Sequence, residues 1–154
     1  MLFLMFELGR DRYAFDVAQI AEVLPLVRVK QIPHAPRGVA GLFNYRGTPV
    51  PVVDLCELTL GHPAPVRLST RLILVHYGQA PGATRRLLGL IAEHATGTMR
   101  REASDFADTG IGSDNAPSLG PVTSDERGVI QWVDVNRVLP ASLRDVLFQE
   151  SGGA

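Results

Sequence analysis

The chain holds a single cysteine, Cys56, among its 154 residues. An internal disulfide and a zinc site of the paired-cysteine type are therefore excluded, and a reducing, cytosolic setting fits best. An excess of charge of one sign is missing as well. Fifteen Lys and Arg stand against 16 Asp and Glu, which leaves no basic field to hold a polyanion by counterion release. Aromatic residues make up only 6% of the chain and are not interleaved with the two basic doublets, Arg85 with Arg86 and Arg100 with Arg101. A groove for single-stranded nucleic acid needs such rings for base stacking. No apolar run approaches the roughly 20 residues of a transmembrane helix. Met1 to Phe6 is apolar but has no basic leader or cleavage signal, and Glu7 ends it, so no secretory peptide is expected.

Turn-forming residues are what the chain has in plenty. Its 15 glycines and 11 prolines exceed average usage and favour many short strands over long helices. At 45% hydrophobic and 20% charged, the composition is that of a globular domain with material for a core. The expected class is all-β with short helices.

Periodicity places the elements. Leu2 to Leu8, a polar turn at Gly9 to Arg12, and Tyr13, Phe15 and Val17 on alternate positions read as a β-hairpin. Asp16 with Gln19 has the spacing of a capping box, and Ile20, Val23 and Leu24 offer an apolar stripe, which predicts a short helix ending before Pro25. Val27, Val29 and Gln31 alternate with Arg28 and Lys30, predicting a half-exposed strand that stops at Ile32 before Pro33. Pro49 and Pro51 each remove a ladder donor, so the strand around Val50 to Val53 belongs at an edge or carries a bulge. Asp54 and Glu57 cap a helix over Leu55 to Leu60, stopped by Gly61 to Pro63. Residues 62 to 69 read as a linker. Arg71 to Tyr77 and Leu87 to Glu93 read as strands, with Ala95 to Met99 continuing the sheet. Residues 103 to 121 are patternless and read as the most mobile loop. A last hairpin turns near Asp125 to Gly128, and Leu143, Val146 and Leu147 mark a C-terminal amphipathic helix.

An internal echo suggests two similar lobes. Val53, Asp54, Leu55, Leu58 and Leu60 are matched by Val133, Asp134, Val135, Val138 and Leu139, each set leaving a strand through an aspartate into a short helical turn.

Catalytic and metal signals are thin. His34, His62, His76 and His94 sit at no ligand spacing and near no second ligand in sequence, so no metal site or cofactor is expected. Asp108, Thr109 and Gly110 spell the triplet that carries the carboxylate of aspartic proteases, but a polar, Gly-rich context gives it no apolar strand to hold it. Cys56, inside an apolar helical turn, reads as core. Two small β lobes without such a constellation are most simply a protein-binding module, with a small-barrel nucleic-acid binder as the alternative.

At residues 32 to 55 the run IPHAPRGVAGLFNYRGTPVPVVDL resembles the CheW-like family of chemosensory coupling proteins, which has Asn-x-Arg-Gly and Val-Pro-x-Val-Asp-Leu at this place. The likeness extends to Tyr13 and Asp16, to Glu22, to Gly89 and to Val133 with Asp134. Tyr45 departs from it, standing where an aliphatic residue is usual before Arg-Gly. Glu93 replaces a common Asp. The resemblance implies one domain over residues 1–154, formed by two SH3-like five-stranded β-barrels and a C-terminal helix. Lobe one would span about residues 14–68 and lobe two about 69–135, with the N-terminal strand and the C-terminal segment completing them. It implies a non-enzymatic adaptor between the regulatory domain of a CheA-like histidine kinase and the cytoplasmic tip of chemoreceptors. Such an adaptor would be cytoplasmic and reach the membrane only indirectly, through receptor arrays. Receptor contact is implied for Ile20, Glu22, Val39, Gly41 and Arg46, with Gly41 letting a receptor helix approach the backbone. Kinase contact is expected at Asn44, Gly47, Gly78 and Gly128.

Overall fold

In the computed structural model, which describes residues 1–78, 86–108 and 120–148, the opening hairpin forms as its alternation predicts. Strands β1 (Leu2–Leu8) and β2 (Asp11–Asp16) pair antiparallel. Seven further strands follow: β3 (Ile20–Pro25), β4 (Val39–Tyr45), β5 (Thr48–Asp54), β6 (Arg71–Tyr77), β7 (Arg86–Arg100), β8 (Val122–Asp125) and β9 (Gly128–Trp132). Two short helices, α1 (Leu55–Leu60) and α2 (Ala141–Leu147), complete the described elements together with three 3-10 turns.

The strands form two five-stranded barrels that share β7. One barrel runs β3-β6-β7-β5-β4 and uses Arg86 to Ala92 of β7. It closes where Lys30, beyond β3, exchanges both backbone hydrogen bonds with Leu42 of β4, each 2.8 Å. The other runs β7-β1-β2-β9-β8, taking β7 from Glu93 to Arg100. It closes the same way, with Ala107 and Val122 exchanging bonds of 2.8 and 2.9 Å. Both contain one parallel pair, β5 with β7 and β9 with β2. Between its two halves β7 passes through His94, whose φ of 49° lies in the left-handed region, and the register against β1 shifts there.

This partition differs from a division near residue 68. Arg71–Tyr77 pairs with Ile20–Pro25, so residues 62 to 69 do not link two lobes but return the chain to the first. The echo between residues 53–60 and 133–139 is real in position: Asp54 ends β5, Asp134 lies two residues after β9, and each caps the turn that follows. Each half of the chain gives two strands to one barrel and three to the other.

Alternation within the strands feeds separate cores. In β6, Leu72 and Leu74 fill the first barrel while Ile73 and Val75 face a central core between the barrels. In β1, Phe3 lies inside the second barrel while Leu4, Phe6 and Leu8 join the central core. Burial on both faces explains why β6 reads as a continuous apolar run. Each fully buried Leu, Ile or Phe contributes about 1.5–3 kcal/mol.

Three local expectations are corrected. Asp16 accepts from Ala18 N–H at 2.9 Å and caps only the 3-10 turn Val17–Gln19, not a helix to Pro25. The box is incomplete, since the Gln19 Oε1 atom is buried without a hydrogen-bond partner. Ile20, Glu22 and Leu24 then alternate half-buried with exposed neighbours, a period of two that pairs with β6. The stretch from Val27 to Gln31 is not a strand, because pairing is confined to the Lys30–Leu42 bridge; Val27 and Val29 pack against the first barrel's core. The prolines of β5 sit where expected: Pro49 and Pro51 face β4, and β7 pairs only with Val52 to Asp54. Helix α1 also forms as read, with Asp54 Oδ1 accepting from Cys56 N–H at 2.9 Å and Glu57 N–H at 3.2 Å. In α2, Leu143 is buried but Val146 is exposed. In the 103–121 loop, Ala103–Asp105 forms a 3-10 turn, and residues 109–119 lie outside the described residues.

Candidate functional site

The turn joining β4 to β5 gathers more of the expected site residues than any other place. Tyr45 pairs with Thr48, leaving Arg46 and Gly47 as a two-residue turn with φ of 51° and 88°. Two positive φ values are what a hairpin turn matching the strand twist needs. Glycine adopts this readily, whereas arginine does so uncommonly. Asn44 Oδ1 accepts from Gly47 N–H at 2.9 Å and holds the turn. The Arg46 side chain is 78% exposed.

Glu22 approaches this turn from β3. Its Oε2 atom lies 3.9 Å from Arg46 Nη2, so the expected Glu22–Arg46 pair is present but long. A nearer partner intervenes: the Tyr45 hydroxyl donates to Glu22 Oε2 at 2.5 Å. That bond, ahead of burial, holds the Tyr45 phenol above its ordinary pKa. The Arg46 guanidinium lies over the Tyr45 ring, 5.0 Å from its centroid. Tyr45 therefore touches both charged groups. Sequence reading registered it as a departure before Arg-Gly but could not see its partner, which lies 23 residues away.

The remaining receptor candidates are placed elsewhere. Ile20 and Val39 are half-buried and pack against the central core. Gly41 is buried, and its backbone is not open to a helix. An ideal Cβ there would stand 2.1 Å from the Lys30 carbonyl oxygen, at a φ of 149°. The residue lets the Lys30 segment close the barrel, which corrects the expectation that Gly41 supplies a bare approach surface.

The kinase candidates divide among three places. Asn44 and Gly47 share the Arg46 turn. Gly78 ends β6, its N–H donating to Asn136 Oδ1 at 2.9 Å. Gly128 sits in the β8–β9 turn, its carbonyl accepting from Arg12 Nη2 at 3.2 Å. Arg12, only 7% exposed, also holds Asp125 with two donors, one of them at 2.9 Å. That contact holds the Asp125 carboxyl well below the usual carboxylate range. Glu7, beside this turn, lies 3.5 Å from Arg127 and 3.6 Å from His94.

One grouping escaped the sequence reading. Cys56 Sγ lies 3.7 Å from His62 Nδ1 and 4.0 Å from Glu93 Oε2. Burial, then the carboxylates of Glu93 and Asp54, push the thiol up to about 11. A thiol so held is protonated at neutral pH and is a poor nucleophile. The carboxylates already have structural duties: Glu93 accepts from Gly9 N–H at 3.0 Å, and Asp54 caps α1 and accepts from Ala64 N–H at 2.9 Å. Among the described residues no group of three His, Cys, Asp or Glu could hold a metal ion. Of the protease-like triplet, Thr109 and Gly110 lie outside the described residues. No helix among the described residues is long and apolar enough to cross a membrane.

Comparison with known proteins agrees with the two-barrel geometry. Chemotaxis protein CheW of Klebsiella aerogenes is 27% identical over 143 residues, covering 89% of this chain and 80% of that protein. Its counterpart in Bacillus subtilis is 22% identical over 138 residues, covering 88% and 85%. The crystal structure of the scaffolding protein TtCheW from Thermoanaerobacter tengcongensis superposes with a TM-score of 0.78 at 19% identity, covering 92% of this chain and 89% of that one. The CheW-like domain model matches residues 2–142, nearly the whole chain, and the protein belongs to the CheW-like family.

Proposed function

We propose that this protein is a non-enzymatic adaptor that couples the cytoplasmic tip of chemoreceptors to a CheA-like histidine kinase. The observation that carries the reading is the Glu22–Tyr45–Arg46 cluster, which sets an exposed arginine on a hairpin tip of a CheW-like fold. Ion pairs at such exposure add about 0–1 kcal/mol to folding, so recognition is a better account of the cluster than stability. Membership in the family and the relatives named as chemotaxis proteins support the same reading.

An adaptor has to hold two partners at once. Asn44 and Gly47 share a turn with Arg46, and one short turn does not seat two proteins side by side. The β4–β5 turn with Glu22 and Arg46 is therefore assigned to the receptor. The kinase is assigned to the strand ends at Gly78 and Gly128. In this role the protein works in the cytoplasm, bound to membrane-attached arrays only through receptors. Nothing in the charge distribution favours the nucleic-acid alternative.

The test is affinity capture from the native cell with identification of the bound chains. Recovery of a histidine kinase and a chemoreceptor together is the expected result. Recovery of neither, or of nucleic acid whose binding falls steeply with salt, would replace the adaptor reading.

A further inference from the structure

Arg46 is steadied by an aromatic ring and has no close acceptor among the described residues. Its guanidinium carbon lies over the Tyr45 ring, 5.0 Å from the centroid, a cation–π contact. The polar contact found for it among the described residues is Glu22 at 3.9 Å, too long for a hydrogen bond. The N–H edge, which binds carboxylates in a two-pronged fashion, therefore points no donor at a close acceptor among the described residues. Glu22 would be the natural internal acceptor, yet its Oε2 is engaged by the Tyr45 hydroxyl at 2.5 Å. The turn adds rigidity, since Asn44 ties Gly47 and the left-handed backbone of Arg46 fixes where its side chain leaves.

We propose that the Arg46 edge receives a carboxylate from the partner helix, and that Tyr45 is the positioning residue that keeps Glu22 from occupying that edge. This deepens the adaptor reading and rests on it: the partner surface that meets the β4–β5 turn carries an Asp or Glu side chain. Substitution of Tyr45 by an aliphatic residue would remove the hydroxyl and leave Glu22 free to close on Arg46.

The experiment measures binding of the full chain to a soluble cytoplasmic fragment of the cognate receptor, with melting temperature recorded for every variant. Arg46→Ala weakens binding by about tenfold or more, the range of a lost charge-assisted pair, with an unchanged melting temperature. Arg46→Lys recovers only part of the loss, because an ammonium lacks the fork. Tyr45→Phe weakens binding several-fold, since Glu22 then turns to Arg46. Glu22→Gln alone sets the reference against which the double variant is read. The double variant Tyr45→Phe with Glu22→Gln regains most of the affinity, because no carboxylate remains to compete, and a purely structural role for the hydroxyl could not produce that recovery. A double variant no better than Tyr45→Phe, or an Arg46→Ala protein that binds normally, overturns the proposal while leaving the adaptor reading intact. A chain that binds no receptor fragment at all overturns both.

Discussion

The β4–β5 turn and the β8–β9 turn occupy matching places in matching barrels, and each carries an exposed arginine before its glycine, Arg46 and Arg127, yet only the second is also anchored by a buried arginine from a neighbouring strand. In the second barrel Arg12 is buried and spends its donors on Asp125 and the Gly128 carbonyl. In the first, Arg46 is exposed, lies over the Tyr45 ring and stands 3.9 Å from Glu22. A buried guanidinium with satisfied donors ties strands together, and removing its partner leaves an uncompensated charge. An exposed one contributes little to folding and stays available for another molecule. The comparison separates a turn built for stability from a turn built for recognition.

The largest effects should come from breaking barrel closure. Gly41→Ala places a methyl 2.1 Å from the Lys30 carbonyl in a backbone conformation that L-residues rarely adopt, and we expect a loss of about 4 kcal/mol or more. The same holds a fortiori for Gly41→Asp, which should unfold the first barrel. Gly120 is a second tight site, beside β9 and not at the closing bridge, where an added Cβ would stand 2.2 Å from the Trp132 carbonyl oxygen. Its φ adds no strain, so Gly120→Ala should destabilise less, by about 3 kcal/mol. Chemical denaturation of both variants checks the order, and a Gly41→Ala protein as stable as the unsubstituted chain would contradict the closure mechanism.

The next effect belongs to the anchored turn. Asp125→Ala strands a buried guanidinium, so it should lower the melting temperature more than Arg12→Met, which removes the buried charge and keeps an aliphatic stem. The reverse order would show that the pair is not what secures the β8–β9 turn. Acid sharpens the point. Arg12 depresses the Asp125 pKa in the folded state, so the stabilisation is present in full above the unfolded-state value, about 3.9. It is lost as pH falls below that value toward the folded one. Asp125→Asn should flatten the stability profile below about pH 4.

Much of the fold was legible because local signals agreed with the final pairing. The β1–β2 hairpin, the Asp54 cap and the Asp125–Gly128 turn each depend on residues close in sequence. Ile20 to Leu24 misled because the same five residues suit a helical stripe and a period of two, and only pairing with β6, some fifty residues on, decides between them. Barrel membership was illegible for the same reason, since each barrel draws strands from both halves of the chain. Within the site, the Asn44–Gly47 turn was readable from Asn-x-Arg-Gly, and Glu22 and Arg46 came from resemblance. The part played by Tyr45 depends on Glu22, and that of Gly41 on Lys30, contacts across the barrel that periodicity does not encode.

Smaller effects follow at the thiol and at the open turn. Cys56, raised to about 11 and buried, should resist alkylation at pH 8 until the protein opens. Gly41→Ala should speed its labelling, and Tyr45→Phe should not. Rapid labelling of the native chain would contradict the neutral, buried thiol. Tyr45→Phe should also leave the melting temperature where it is; a large fall would mean that the first-barrel turn is structural after all, erasing its contrast with the second.

Co-sedimentation on vesicles bearing the cognate receptor is the most direct test of the adaptor role. The kinase should sediment with these vesicles when this protein is added and remain in solution when it is left out. Arg46→Ala should reduce recruitment, in line with a loss of receptor affinity of about tenfold or more, while the variant still binds the kinase in solution. Equal sedimentation of the kinase with and without the protein would contradict the account.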